Sequence, residues 1–307
     1  METFFDLAII GGGPAGVAAG IYAARKKIKA ILITESFRGQ SAVSGEIQNW
    51  IGDISISGEE LHKRLENHLK FYSKDITINE KETVTEITKN KEFFNIKTDE
   101  GDYQAKTILI TTGNIRKKIQ VKGAAEFEGK GITYCATCDG PMFTDQDVVV
   151  IGGGNSAFES ASQLAAYVKS VTIIQRSEFR AEPMLMEKIL ANPKVKAITN
   201  VDLQEIKGDK FVTTLVYKNK GSDEIIELPV TGIFVEIGSN PSVEFIKNGL
   251  VKLNEREEII IDPKNQKTNT PAVWAAGDCT DGLYRQNNIA VGDAVKAVED
   301  IYRYLKS

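Results

Sequence analysis

Cys135 and Cys138 stand in the stretch GITYCATCDGPMF, with two residues between them, in a chain of 307 residues that has only three cysteines. Such a pair can be a structural bridge, two ligands of a metal, or a disulfide that opens and closes during a reaction. Three cysteines are too few for a disulfide framework, and a reducing compartment would not keep a structural bridge closed. A zinc site needs about four nitrogen or sulfur ligands. Cys279, His62 and His68 supply no second CxxC and no HxxxH, so no metal site is predicted. The remaining reading is dithiol–disulfide chemistry, which requires a source of electron pairs. Asp139 directly follows the pair and, taken alone, could be the turn residue of an Asp-Gly step. Cys279 has no partner in the pattern and reads as a small buried side chain. The two histidines fall in HKRLENHLKFY, an amphipathic helix on which both read as solvated.

The elements around the pair repeat. Leu7–Ile10 is apolar and strand-like, Gly11-Gly12-Gly13-Pro14-Ala15-Gly16 follows, then an alanine-rich helix, then the strand Ala30–Thr34 ending at Glu35. The second copy runs from Val148–Ile151 through Gly152-Gly153-Gly154-Asn155-Ser156-Ala157 and a helix to Val171–Ile174, ending at Gln175 and Arg176. Both fit G-x-G-x-x-G/A between a strand and a helix, the context in which the motif is informative. Gly11 and Gly152 allow the tight turn. Gly13 and Gly154 let a pyrophosphate reach the backbone, and Gly16 and Ala157 let helix and strand pack closely. The phosphates then sit at a helix N-terminus. Glu35 suits the ribose hydroxyls of an unphosphorylated adenosine, which points to FAD. Arg176 and Arg180, with no carboxylate at the strand end, suit the 2′-phosphate of NADPH, unless they are a solvated surface pair diluted by Glu178 and Glu182.

Further strands lead into glycine turns at Thr111-Thr112-Gly113 and at Glu236-Ile237-Gly238. The charged segment 114–130 reads as a linker, and a return crossing is expected near 243–248. VWAAGDCTDG reads as a buried strand ending at Gly277-Asp278, an acid placed to meet cofactor hydroxyls or to cap the next helix. The expected fold is α/β, with two Rossmann-like dinucleotide-binding domains.

Hydrophobic residues make up 42% and charged residues 26% of the chain, enough for a core. The net charge is -4 and the pI about 5.5, without a basic stripe, so neither nucleic acid nor an anionic membrane is an expected partner. Glu2 and Asp6 stand where a signal peptide would be positive, and no apolar run nears ~18 residues, so a cytoplasmic protein is expected.

With these residues in view the chain resembles the low-molecular-weight thioredoxin reductases of the pyridine nucleotide-disulfide oxidoreductase group. GGGPAG, CATCDG, GGGNSA and AAGDCTDGLYRQ match in order over nearly the whole length. It is also similar, in EIIIDPK and GIFVEIG, to the reductase half of the alkyl hydroperoxide reductase flavoprotein, whose added thioredoxin-like domain has no counterpart in these residues. The resemblance implies an FAD domain of residues 1–113 and 247–307, a nicotinamide domain of 114–246 inserted into the FAD domain and carrying the pair, a homodimer, a rotation between domains, and thioredoxin or a similar small dithiol protein as partner. It places Gln40, Asn49 and Gln286 near the flavin, Gly113 and Asp278 in the FAD site, Ser156 with the second loop on NADPH, Cys138 against the flavin, Cys135 as the attacking sulfur, and Asp139 as proton donor or acceptor for the thiolates. Three departures stand out. Phe37-Arg38-Gly39-Gln40 has one glycine where the family has a pair, Asn287-Asn288 replaces small or apolar residues, and Gln175 replaces a member of a His-Arg-Arg run.

Overall fold

The computed structural model describes residues 3–44, 47–246 and 249–307; Glu2 and the expected domain start at 247 lie outside them. The apolar strand Phe4–Ile10 is central to the first sheet. It pairs in parallel with Ala30–Thr34 on one side and with Asp102–Ile110 on the other. Thr77–Glu80 adds a further parallel strand beyond Ala30–Thr34. Besides Phe4–Ile10, the nine-residue strand Asp102–Ile110 serves two further partners on its other edge. Its first half pairs antiparallel with Phe94–Thr98, which pairs in turn with Val84–Lys89. Its second half pairs in parallel with Val273–Ala275, from the far end of the chain. Leu7, Ile9, Leu32 and Leu109 face a layer of helices, Pro14–Arg25 and Asn287–Lys306, whose alanines permit close packing. Ala8, Ile31, Ile33 and Ile108 face the opposite core. Continuous apolar runs are what a parallel sheet covered on both faces requires.

The second sheet is wholly parallel: Val195–Ile198, Ser170–Ile174, Asp147–Ile151, Gly232–Val235 and Ile132–Thr133, in that order. Helices Asn155–Leu164 and Pro183–Leu190 share one of its cores. An antiparallel meander of Val201–Gly208, Val212–Asn219 and Ile225–Pro229 shares the other.

Two short passages join the sheets, and they pair with each other. Asn114–Arg116 runs antiparallel to Ser239–Pro241. Thr112 Oγ1 donates to the Ser242 carbonyl at 2.7 Å, and the Ser242 amide donates to the Gly113 carbonyl at 3.1 Å. The linker is shorter than its charge suggests: Ile119, Val121, Ala124 and Phe127 already pack with the second core. The return falls at 239–241, a little before the expected 243–248, because Val243, Phe245 and Ile246 are buried in the first core.

Helix Gly58–Phe71 begins at Ser57, whose side chain accepts from the Glu60 amide at 3.2 Å. It is amphipathic as expected, and His68 is exposed, but His62 is not a surface residue. It is 4% exposed on the inner face beside Leu61. Its Nδ1 donates to the Phe37 carbonyl at 2.9 Å. Among the described residues no helix is long and apolar enough to cross a membrane.

Candidate active site

Each glycine loop closes a strand against the start of a helix. A Cβ on Gly11, where φ is +110°, would lie 2.6 Å from the Thr111 carbonyl oxygen. A Cβ on Gly16 would lie 1.8 Å from the Gly11 carbonyl oxygen. Packing by itself therefore already requires glycine at both positions. Gly13 differs, since a Cβ there meets nothing within 4 Å. It is the N-cap of Pro14–Arg25, without a side-chain cap, so free amide N–H groups face open space. The second loop has the same division. Gly152 is pressed against the Glu236 carbonyl, Ala157 is fully buried, and Gly154 opens onto space at another uncapped helix start. Room and donors at both loops fit a dinucleotide pyrophosphate.

The residues expected near the flavin converge from both ends of the chain. Asn49 Nδ2 donates to Gln286 Oε1 at 3.1 Å. The unusual Asn287-Asn288 pair fastens the same loop. Asn287 exchanges hydrogen bonds with Ser41 at 2.9 and 3.2 Å, and Asn288 Nδ2 donates to the Asn49 carbonyl at 2.7 Å. His62 supports this loop from below, with Nε2 3.4 Å from Ser41 Oγ. Gly39 must be glycine because a Cβ would approach the His62 ring at 2.8 Å, whereas Arg38 is exposed and needs no special backbone. Glu35 is exposed at the end of its strand, and Gly113, with φ +66°, opens the ribbon between the sheets. Asp278 is half-buried; burial raises its pKa, against the fields of Arg285 and Arg116.

A cavity of about 410 Å³ lies between the sheets. Gln40, Asn49, Asp278 and Gln286 line it from one side, and Cys135, Cys138 and Asp139 from the other. Cys135 and Cys138 form a disulfide at the start of the short helix Ala136–Asp139. Asp139 is buried, its Oδ2 accepting from Thr133 Oγ1 and its Oδ1 having no partner among the described residues. Burial raises its pKa, opposed by the Thr133 and Ser44 hydroxyls and the Arg116 charge. The disulfide thus has a protonatable acid beside it and Gln40, Asn49, Asp278 and Gln286 across the cavity from it.

The nucleotide-side residues are not brought into this cavity. Gly152, Gly154, Ser156, Ala157, Arg176 and Arg180 do not line it, and Ser156, Arg176 and Arg180 are exposed. Gln175 is turned inward. It is 6% exposed, its amide lies over Gly153, and its Oε1 accepts from the Arg176 amide at 3.0 Å. Cys279 is fully buried as expected, and burial pushes its thiol up to about 11. Arg116, Tyr134, Ser44 and Arg285 also line the cavity; Arg285 falls in the matched stretch AAGDCTDGLYRQ with no role assigned to it there, and Arg116 carries no motif signal. Arg116 is hidden among linker charges; its place just after a strand-ending glycine is the available clue.

A family model for pyridine nucleotide-disulphide oxidoreductases matches residues 5–294, and the chain belongs to that family. An alkyl hydroperoxide reductase component of Pseudomonas aeruginosa is 40% identical over 98% of this chain. A Bacillus subtilis protein named NADH dehydrogenase is 37% identical over the same share. This chain spans 58% of the length of each of these two relatives. The structure of thioredoxin reductase from Streptococcus pyogenes superposes with a TM-score of 0.93 at 32% identity, covering 100% of this chain and 99% of that one. The chain is therefore an oxidoreductase of the flavin and pyridine-nucleotide type, with a disulfide-forming cysteine pair.

Proposed function

We propose that the protein is an FAD-dependent thioredoxin-disulfide reductase drawing on NADPH. The observation that carries this reading is the cavity that sets the Cys135–Cys138 disulfide opposite Gln40, Asn49 and Gln286. Bound FAD would supply the two-electron relay between a nicotinamide and that disulfide. Gly11, Gly13 and Gly16 hold its pyrophosphate, Glu35 its ribose, and Gly113 and Asp278 line its path. Gly152, Gly154, Ser156 and Ala157 hold NADPH, with Arg176 and Arg180 at the 2′-phosphate. Cys138 takes the electron pair, Cys135 attacks the disulfide of an oxidised partner, and Asp139 holds or returns the proton. The partner is thioredoxin or a similar small dithiol protein, met in the cytoplasm by a homodimer.

The FAD unit comprises the chain up to Gly113 and the chain after the return ribbon; the nucleotide unit lies between. Because the nucleotide-side residues are away from the cavity that holds the disulfide, the units must exchange places during turnover. The paired strands Asn114–Arg116 and Ser239–Pro241 are the hinge.

A second reading is an NADH-driven reductase of a peroxidase-linked partner. The names of the curated relatives and the inward-turned Gln175 favour it. The test is to follow nucleotide oxidation with oxidised thioredoxin and with a disulfide-form peroxidase-linked partner, each with NADPH and with NADH. Reduction of thioredoxin with NADPH preferred supports the first reading. Activity only with the other partner and NADH supports the second. A flavin-containing protein that reduces neither acts as a sensor.

A further inference from the structure

Arg116 is half-buried on the ribbon between the sheets, and its side chain lines the cavity. Its guanidinium lies 5.8 Å from the centre of the Tyr134 ring, next to Cys135 in sequence. Among the described residues it makes no side-chain hydrogen bond and no ion pair. A guanidinium has five N–H donors and stays charged at any working pH, so leaving it unpaired in a cavity is unfavourable. The carboxyl groups whose fields reach it are Glu236, Asp278 and Asp139, and burial raises the proton affinity of all three. None of them closes on it.

We infer that Arg116 is the counter-charge for the single negative charge that reduction creates in this cavity. The inference rests on the proposed function. A hydride brings two electrons and one proton to the flavin, which leaves one net negative charge. When the pair passes on, the S–S bond breaks, one sulfur leaves as a thiol carrying that proton, and the other as a thiolate. The charge is conserved in that step: it moves from flavin to sulfur. If Asp139 gives its proton to the thiolate, the charge moves to the carboxylate. Every reduced state thus holds one more negative charge than the oxidised state. A fixed cation facing the space favours reduction whichever group holds the pair. Arg116 is a positioning charge, acting through the field in the cavity.

The test uses Arg116→Gln and Arg116→Lys in the full-chain, FAD-loaded protein, with FAD content and melting temperature checked first. In a Cys135→Ser, Cys138→Ser background only the flavin titrates, and its midpoint potential is read against a reference dye. With both cysteines present, the dithiol–disulfide midpoint is read by thiol labelling in redox buffers. Arg116→Gln should disfavour the reduced form about tenfold, ~30 mV more negative for a two-electron couple, and Arg116→Lys should restore most of it. A shift only in the flavin assigns the charge to the flavin, and a shift only in the dithiol assigns it to sulfur; either supports the proposal. Unchanged midpoints in both arms overturn it. So does loss of FAD or of the fold in both variants, which would make Arg116 structural. A wild-type protein whose disulfide stays closed when its flavin is reduced by light would defeat the proposed function itself.

Discussion

Asp139 is the side chain on which the proton traffic of the proposed reaction turns. Burial raises its pKa above the ordinary 3.8, so the folded protein binds this proton more readily than the unfolded chain. A raised carboxyl pKa gives a stabilising contribution that is complete below about 3.8 and is lost as pH rises through the folded value. Asp139→Asn should therefore melt higher than wild type at neutral pH, with the gain vanishing towards pH ~4. Its turnover should fall by ~10²–10⁴, the usual weight of a general acid–base group. Calorimetry across pH together with steady-state rates would show this; equal activity would remove Asp139 from the reaction. His62 has the opposite sign. Burial lowers its pKa from 6.5, so its contribution is present above about 6.5 and lost as pH falls through the folded value. His62→Gln should flatten the acid loss of stability and of FAD affinity expected of wild type. An acid limb of the same depth in the variant would show that His62 does not control the Gln40–Ser41 loop. Cys279, buried and with its thiol near 11, should resist alkylation in the folded protein, and Cys279→Ser should keep most activity. None of these environments is readable residue by residue. Asp139 and Cys279 have sequence neighbours that suggest their roles. His62 lies beside a leucine stripe, and only the tertiary contact with Phe37 decides which way it faces.

The repeated strand, glycine loop and helix is legible because local rules agree there: apolar strands, glycines where a Cβ would collide, alanines where a helix packs closely. The two loops separate packing from binding, and this gives a prediction. Gly16→Ala places a Cβ 1.8 Å from a carbonyl oxygen and should destabilise the fold. Gly13→Ala meets open space, so the FAD-free protein should melt as wild type while FAD affinity falls. Equal affinity in Gly13→Ala would mean that no phosphate lies at that helix start. At the second strand end Arg176 and Arg180 stand out in the sequence, but nothing there foretells Gln175 folding over Gly153. Charge-assisted contacts are worth roughly 1.5–3 kcal/mol, or about ten- to a hundredfold each. The double Ala variant at Arg176 and Arg180 should raise KM for NADPH strongly and leave that for NADH nearly unchanged. Equal increases would reject the 2′-phosphate assignment. The ribbon lies a few residues from its expected place because a charged stretch looks like a linker even where its apolar residues are packed into a core.

At the scale of the whole molecule, the two sheets with their covering helices are joined by two short strands, with a cavity between them that takes side chains from both. In this arrangement the disulfide faces Gln40, Asn49 and Gln286, and the second glycine loop lies elsewhere. A cysteine bridge engineered across the two units should stop turnover and restore it on reduction; full activity in a verified cross-linked form would contradict the exchange of places. The central claim is that electrons reach a partner only through FAD and the Cys135–Cys138 pair, and an anaerobic single-turnover experiment tests it most directly. The flavin is reduced with one equivalent of NADPH, oxidised thioredoxin is added, and thioredoxin thiols are counted in wild type and in Cys135→Ser and Cys138→Ser. The account predicts two thiols per flavin in wild type, none in Cys135→Ser, and at most one in Cys138→Ser, whose Cys135 can open the partner disulfide to a mixed disulfide but cannot release the partner. Both variants still reduce their flavin, and Cys135→Ser shows a long-wavelength charge-transfer band. Thiols released in full by either variant, or none by wild type, would contradict it.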